Sequence, residues 1–349
     1  MPSLADIKRD MNRICPGSVI DGVEVKDVER IPLRAAALNR ALHGGIPKGR
    51  MIELYGPEHS GKTTTALMIA AAYQQKDERP VVFIDAEGTY DALWATKIGV
   101  KHEAGKFIYW RPENLTAEQV FERTLQIADT GEAGLIILDS LPVLIPQQED
   151  AKNMEQMTMG GIAAPLTKFT RKLGRILLRN SDVTFLGLNQ VRDNMSGYGD
   201  PVTTPGGKAW KHMCSVRLVF KSENIDPNGI YLSESHPNPA GVRIWMQVKK
   251  NKTAPRDRKM GSYTLDFERG FDELQDVVML AIIEGIVVTR GAGVSYVHNK
   301  ETGEVLSALG KAKFMEKLRN CPEIFEKLKA EVLDADSRSE GAVNGNQSE

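Results

Sequence analysis

The stretch "LYGPEHSGKTTTALMIAAAYQ", Leu54 to Gln74, sets a glycine-bearing loop between an apolar run and a helical pattern. Within it, Gly56 to Thr63 matches G-x-x-x-x-G-K-[ST], with a strand expected before it and a helix after it, the context in which this pattern holds a phosphate. Gly56 and Gly61 allow the loop Pro57, Glu58, His59 and Ser60 to aim backbone N–H groups into one concavity at a helix N-terminus. Lys62 supplies a point charge for the β- and γ-phosphates, the Thr63 hydroxyl is placed to bind Mg²⁺, and Thr64 lies beside them. The alternative, a chance tight turn, explains neither the lysine nor the flanking elements.

Outward from this loop the pattern repeats. "RMIELYG", "PVVFIDAEG", "FIYWRP", "GLIILDS", "VTFLGLNQ", "SVRLVFKS" and "RIWMQVKK" are near-continuous apolar strands separated by helical segments between Met51 and about Lys252. Such strands are covered on both faces, which predicts an α/β core with a mainly parallel sheet. Before it, Ala5 to Ile14 has helical spacing with interleaved charge, a docking arm that needs a partner surface. After Gly270, "FDELQDVVMLAIIEGIVV", a turn-rich stretch and "KAKFMEKLRNCPEIFEKLKAEVL" predict a small helix-dominated domain. The polar end "DADSRSEGAVNGNQSE" predicts a disordered tail. The expected boundaries are 1–30 for the arm, 31–270 for the core, 271–333 for the small domain and 334–349 for the tail.

Composition narrows the function. With 349 residues, 41% hydrophobic, the chain can bury a full core, and a formal net charge of -1 means that any nucleic acid must be held by locally placed Lys and Arg. Cys15, Cys214 and Cys321 are scattered and form no Cys/His cluster, which argues against a disulfide framework or a zinc site and fits a reducing cytoplasm. The opening "MPSLADIKRDMNRICPG" lacks an apolar leader core, so a soluble, untargeted chain is expected.

Two strand ends carry carboxylates. "GLIILDS" delivers Asp139 toward the Mg²⁺ coordination sphere. In "VVFIDAEGTYD", Asp85 and Glu87 are two apart and share a face at the strand's C-terminal end, where ligands of open α/β sheets bind. Glu87 is the candidate to orient and deprotonate the attacking water, with a solvated loop carboxylate as the alternative.

The blocks "GPEHSGKTT", "FIDAEGTYDALWATKIGV", "LIILDSLPVLIP", "MGGIAAPLTKFTRKLG", "LNQVR", "TTPGGKAWKHMCSVRL" and "VKKNKTAP" occur in the order and approximate spacing of the RecA recombinase family. From about Ile31 to Leu333 the chain resembles a divergent member of it. The resemblance implies a RecA-like P-loop core whose ATP and Mg²⁺ sit between neighbouring subunits of a helical filament on single-stranded DNA. It matches Glu87 to the catalytic glutamate, and Asp91 and Trp94 to positions that contact adenine, Trp94 replacing the usual tyrosine. Gln190 matches the glutamine that senses the γ-phosphate and orders the loop that follows. Lys250 and Lys252 match lysines that reach a neighbour's ATP. Two segments correspond to DNA-binding loops, about Gln147 to Pro165 and "RDNMSGYGDPVTTPGGK". Met159, Gly160, Met195, Gly206 and Gly207 belong to them, Met159 and Met195 as wedges between bases, while Arg171, Arg192, Lys208 and Lys211 are the nearest cations for DNA phosphates.

The chain departs from the family at Ala164, followed by Pro165, where an arginine is common, and at His212, where an aromatic couples subunits. Its tail is only mildly acidic. The function implied is a DNA-dependent ATPase that forms filaments on single-stranded DNA and pairs it with homologous duplex DNA, with single-strand-binding or mediator proteins as further partners. It would act in the cytoplasm of a bacterial cell or of a phage-infected host. The alternative is a RecA-fold ring motor or nucleotide-switched regulatory ATPase, which would close as a ring rather than an open screw.

Overall fold

The structure is a computed structural model, and it describes residues 2–15, 19–24, 27–151, 161–180, 182–193, 202–226, 231–233, 236–255, 257 and 259–332. All seven apolar stretches form strands of one sheet: β1 (Met51–Gly56), β2 (Val81–Asp85), β3 (Phe107–Trp110), β4 (Leu135–Asp139), β5 (Thr184–Gln190), β6 (Val216–Ile225) and β7 (Gly241–Asn251). Two further strands, β8 (Met260–Asp266) and β9 (Gly270–Phe271), extend it to nine in the order β9-β8-β7-β6-β1-β5-β4-β2-β3. Pairings from β6 to β3 are parallel, and those from β6 to β9 are antiparallel.

Side-chain alternation along the strands divides the interior in two. Ile52, Leu54, Phe83, Ile137, Leu186 and Leu188 face one way and pack under helix α3 (Lys62–Lys76). Met51, Val82, Ile84, Ile136, Leu138 and Phe185 face the other, against α5 (Ala117–Thr130) and α6 (Ala163–Arg179). Each such fully buried side chain contributes roughly 1.5–3 kcal/mol. Because β1, β2, β4 and β5 run parallel, their C-terminal residues Gly56, Asp85, Asp139 and Gln190 arrive at one edge of the sheet. Gly56 is in register with Gln190, and Asp85 with Asp139.

At the N-terminus, α1 (Leu4–Ile14) carries a Ser3/Asp6 capping box and buries no residue, leaving Leu4, Ile7, Met11 and Ile14 exposed at helical spacing. The C-terminal part has its own apolar cluster, including Val277, Leu280, Tyr296, Phe314 and Leu328. Its expected helices are there: α8 (Glu273–Ile283), α9 (Lys311–Arg319) and a helical run over 322–332. The stretch read as turn-rich holds a three-stranded antiparallel sheet, Val287–Arg290, Gly293–Asn299 and Glu304–Leu309. Its short strands bury only alternate residues such as Val294 and Tyr296, too few for a strong apolar run. The buried Asp276 carboxylate of α8 accepts the Ala36 N–H at 2.5 Å. It thereby caps α2 (Ala36–Ala41), whose own N-cap Ala35 has no side-chain acceptor.

Candidate functional site

The phosphate loop is fixed by sterics and hydrogen bonds. A Cβ on Gly56 would stand 2.5 Å from the Phe220 carbonyl oxygen. Gly61, at φ +88°, is the N-cap of α3, and a Cβ there would meet Ile244 at 2.2 Å. Between them Pro57, Glu58 and His59 are exposed, His59 in a left-handed backbone conformation, while the buried Ser60 hydroxyl donates to the Pro57 carbonyl at 2.7 Å. The Lys62 ammonium donates to the carbonyls of Gly56 (3.1 Å) and Pro57 (2.6 Å), which keeps it over the mouth of the loop. Burial lowers its pKa from the ordinary value, opposed by Asp139, Glu87 and Glu58.

The carboxylates divide their work. The Thr63 hydroxyl donates to Asp139 Oδ2 at 2.7 Å. Burial pushes Asp139 up to about 7, with Glu87 and Asp85 adding to the rise and the Thr63 bond opposing it. One residue on, the Ser140 hydroxyl donates to Glu87 Oε1 at 2.5 Å. The N–H groups of Ala86 and Glu87 both donate to the Asp139 carbonyl, so the Glu87 turn is tied to β4. Asp85, expected to share a face with Glu87, is spent inside the turn. It accepts N–H bonds from Gly88, Thr89 and Tyr90 and the Tyr109 hydroxyl at 2.9 Å, which fills the roughly four acceptor positions of a carboxylate. Asp85 shapes the loop, and Glu87 stays exposed with its carboxylate held by Ser140.

The residues expected at adenine also have structural duties. Asp91 Oδ1 accepts from the N–H groups of Leu93 and Trp94 and so caps α4 (Ala92–Ile98). The half-buried Trp94 indole donates to Thr64 Oγ1 at 3.3 Å, which seats the ring against the first turn of α3. Gln190 ends β5 directly beside Gly56.

Lys250 and Lys252 go elsewhere. Their ammonium groups donate to the Lys211 and His212 carbonyls at the C-terminus of α7 (Gly207–Met213), over distances of 2.7 to 3.0 Å. Lys250 is paired with Arg217, and Arg217 is in register with Glu53, whereas the phosphate loop leaves β1 at Gly56. The two lysines therefore sit toward the sheet edge away from their own chain's phosphate loop.

Of the residues expected at DNA, Met159, Gly160 and Met195 lie outside the described residues. Arg171, on α6, and Arg192 and Lys208 are exposed. Gly206 and Gly207 take left-handed backbone at the start of α7, at φ +104° and +75°. Lys211 donates to Thr203 Oγ1 at 2.6 Å, an anchor for the end of the second loop. Sequence reasoning missed Ser140, the turn-forming role of Asp85, and a buried group beneath the site. In that group Glu53 pairs with Arg217, and Asn189 Nδ2 donates to Glu53 Oε1 at 2.8 Å. The one signal was a glutamate inside the apolar run "MIELYG".

The residues present fit a magnesium nucleotide. Among the described residues no cluster of three His, Cys, Asp or Glu side chains could hold a metal by itself. A hydroxyl and one carboxylate suit Mg²⁺, which takes its remaining ligands from phosphate and water.

Residues 3–272 match the family model of the RecA N-terminal domain. A Protein RecA of Thermus thermophilus is 36% identical over 311 residues, 88% of this chain and 86% of its own. The Protein RecA of Mycoplasmopsis pulmonis is 33% identical over 315 residues, 89% of this chain and 87% of its own. Among solved structures, the crystal structure of the RadB recombinase aligns with a TM-score of 0.47 at 19% identity, covering 67% of this chain and 94% of that one.

Proposed function

The chain belongs to the RecA family, an ATP-using DNA recombinase of homologous pairing and strand exchange, and from that premise we propose how its residues divide the work. The observation that carries the reading is the coupling at the end of β4: Asp139 holds Thr63, and the next residue, Ser140, holds Glu87. One backbone turn thus sets the metal position and the general base at a fixed separation.

ATP lies with its phosphates on the loop from Gly56 to Thr64 and its base against Trp94 and Asp91. Mg²⁺, when bound by Thr63 and Asp139, would neutralise charge building between the β- and γ-phosphate oxygens. Lys62 leaves its carbonyl partners for the phosphates. Glu87, oriented by Ser140, positions a water in line and accepts its proton. Lys250 and Lys252 act on the nucleotide of a neighbouring copy. Their place away from their own phosphate loop supports this, and it makes turnover depend on filament assembly. Gln190 senses the γ-phosphate at the start of the second DNA loop. Arg171, Arg192 and Lys208 meet the phosphates of single-stranded DNA, with Met159 and Met195 between bases. The setting is the cytoplasm of a bacterial cell or phage-infected host, with homologous duplex DNA as the second substrate and single-strand-binding or mediator proteins as partners.

The test measures ATP hydrolysis with and without single-stranded DNA at fixed salt. Stimulation by DNA, lost in Lys62→Ala and Glu87→Ala, is the expected result. Turnover indifferent to DNA, or closed rings in place of filaments, would overturn this reading in favour of a motor or switch.

A further inference from the structure

Beneath Gln190 lies a buried polar group that the roles above do not use. Glu53 on β1 and Asn189 on β5 are fully buried, each 0% exposed, on neighbouring strands at the centre of the sheet. Glu53 is partnered on both oxygens: Arg217 of β6 holds Oε2, and Asn189 Nδ2 donates to Oε1 at 2.8 Å. The second hydrogen of Asn189 Nδ2 goes to the Pro205 carbonyl at 3.0 Å, and Asn189 Oδ1 accepts the Gln190 N–H at 3.0 Å. The amide orientation is forced, because Glu53 and the Pro205 carbonyl are both acceptors and only an NH₂ satisfies the two together. Arg217 also donates to Thr204 Oγ1 at 3.2 Å, and its guanidinium lies over the Tyr55 ring.

We infer that Asn189 is a positioning residue that fastens the exit of the second loop, at Pro205, to the backbone of Gln190 at its entrance, so that a nucleotide-dependent change at Gln190 reaches the DNA-binding segment. This rests on the proposed role of Gln190 and adds the part that transmits it. Asn189 touches no reacting atom. Its three bonds join a strand neighbour of the phosphate loop, the loop's entry and the loop's exit in one amide. Moving Gln190 changes the acceptor geometry at Oδ1, and the planar amide carries that change to Nδ2 and Pro205. The charge of Glu53 makes the junction rigid, since a buried carboxylate holds its donors strongly.

The experiment compares the affinity for a labelled single-stranded oligonucleotide in the presence of a non-hydrolysable ATP analogue and of ADP. In the wild type the ratio of the two is expected in the range of allosteric couplings, about 5- to 150-fold. In Asn189→Ala it falls to near one while affinity for the ATP analogue alone is kept. Because this variant strands a buried carboxylate oxygen, a second one separates folding from coupling. In Glu53→Gln with Asn189→Asp, the new amide at 53 can donate to the new carboxylate at 189, while its neutral oxygen faces Arg217 in place of the carboxylate. No donor remains for the Pro205 carbonyl. This pair is expected to melt below the wild type, so the ratio is read at a temperature where it stays folded and binds the ATP analogue as the wild type does, and there it is expected to be near one. A wild-type ratio in the paired variant overturns the inference, whatever the single variant does. If hydrolysis is stimulated by DNA yet both variants keep the wild-type ratio, only the Asn189 linkage fails. If the wild-type ratio is itself one, the Gln190 reading fails with it.

Discussion

The phosphate loop and the segment after Gln190 proposed to bind DNA leave neighbouring strands of one sheet and are held in opposite ways. The phosphate loop is fixed along its length. Gly56 and Gly61 have no room for a Cβ, Ser60 bonds Pro57, and Ser222 donates to the His59 carbonyl at 2.9 Å. In the second loop the described residues are fastened at its two ends, by the pairing of Arg192 with Thr203 and by Asn189, Arg217 and Lys211 on the residues 203–205. Anion binding by backbone N–H groups gains from preorganisation, because no reorganisation then opposes the developing charge. A segment that answers to a distant ligand gains instead from a few bonds whose geometry the ligand can change.

The largest test of this contrast is Glu87→Gln. It keeps shape and the Ser140 contact but removes the base, and it should lower DNA-stimulated turnover by roughly 100- to 10,000-fold with nucleotide affinity retained. Turnover within about tenfold of the wild type would mean that the water is activated elsewhere. Next comes Lys62→Ala, expected to cost roughly 100- to 1,000-fold in turnover, since one preorganised donor to the reacting phosphate is lost. A glycine pair then compares the loops directly. Both Gly61 and Gly207 have positive φ, but a Cβ on Gly207 meets only Ala163 at an ordinary 3.7 Å. Gly61→Ala adds a clash to the backbone strain of about 1–3 kcal/mol that both share, so it should melt lower than Gly207→Ala and bind nucleotide more weakly. Equal effects would erase the distinction drawn above.

The smallest effect lies outside both loops. Burial pushes Asp276 up to about 7 from an ordinary 3.8, against the lowering by backbone bonds from Ala36 and Ala37 and with Glu273 and Asp272 raising it further. A carboxyl whose folded pKa is raised binds its proton more tightly in the native state between these two values. Stability should therefore fall as pH rises from about 4 to about 7, by at most ~1.4 kcal/mol per pH unit for one proton, and level off above. Asp276→Asn should flatten that slope in melting curves and leave ATP hydrolysis at its DNA-stimulated rate. A slope identical in both proteins would remove Asp276 as its source.

Legibility followed the range of the signal. The phosphate loop, Asp139 and the seven long apolar strands were readable because each is a local pattern: a glycine spacing, a strand ending in a carboxylate, a near-continuous apolar run. Strands β8 and β9 and the small antiparallel sheet were not. "MGSYTLD" mixes polar residues with buried ones, and Gly270–Phe271 is too short to carry a period. Asp85 and Glu87 looked equivalent by spacing. The strand stops at Asp85, and three N–H groups of the turn claim its carboxylate, so only Glu87 faces outward.

By itself, then, the sequence determined the α/β core, the nucleotide loop and the family, because those depend on residues close together in the chain and on periodicities that burial imposes. The tertiary structure alone decided that the Asp85 carboxylate is held inside the turn by three N–H groups. It also showed that Lys250 and Lys252 lie away from their own chain's loop, and that Glu53, Asn189, Arg217 and Pro205 meet beneath the site. The physical reason is range: a buried charge or amide must find its partners, and here they come from strands and loops up to 164 positions apart.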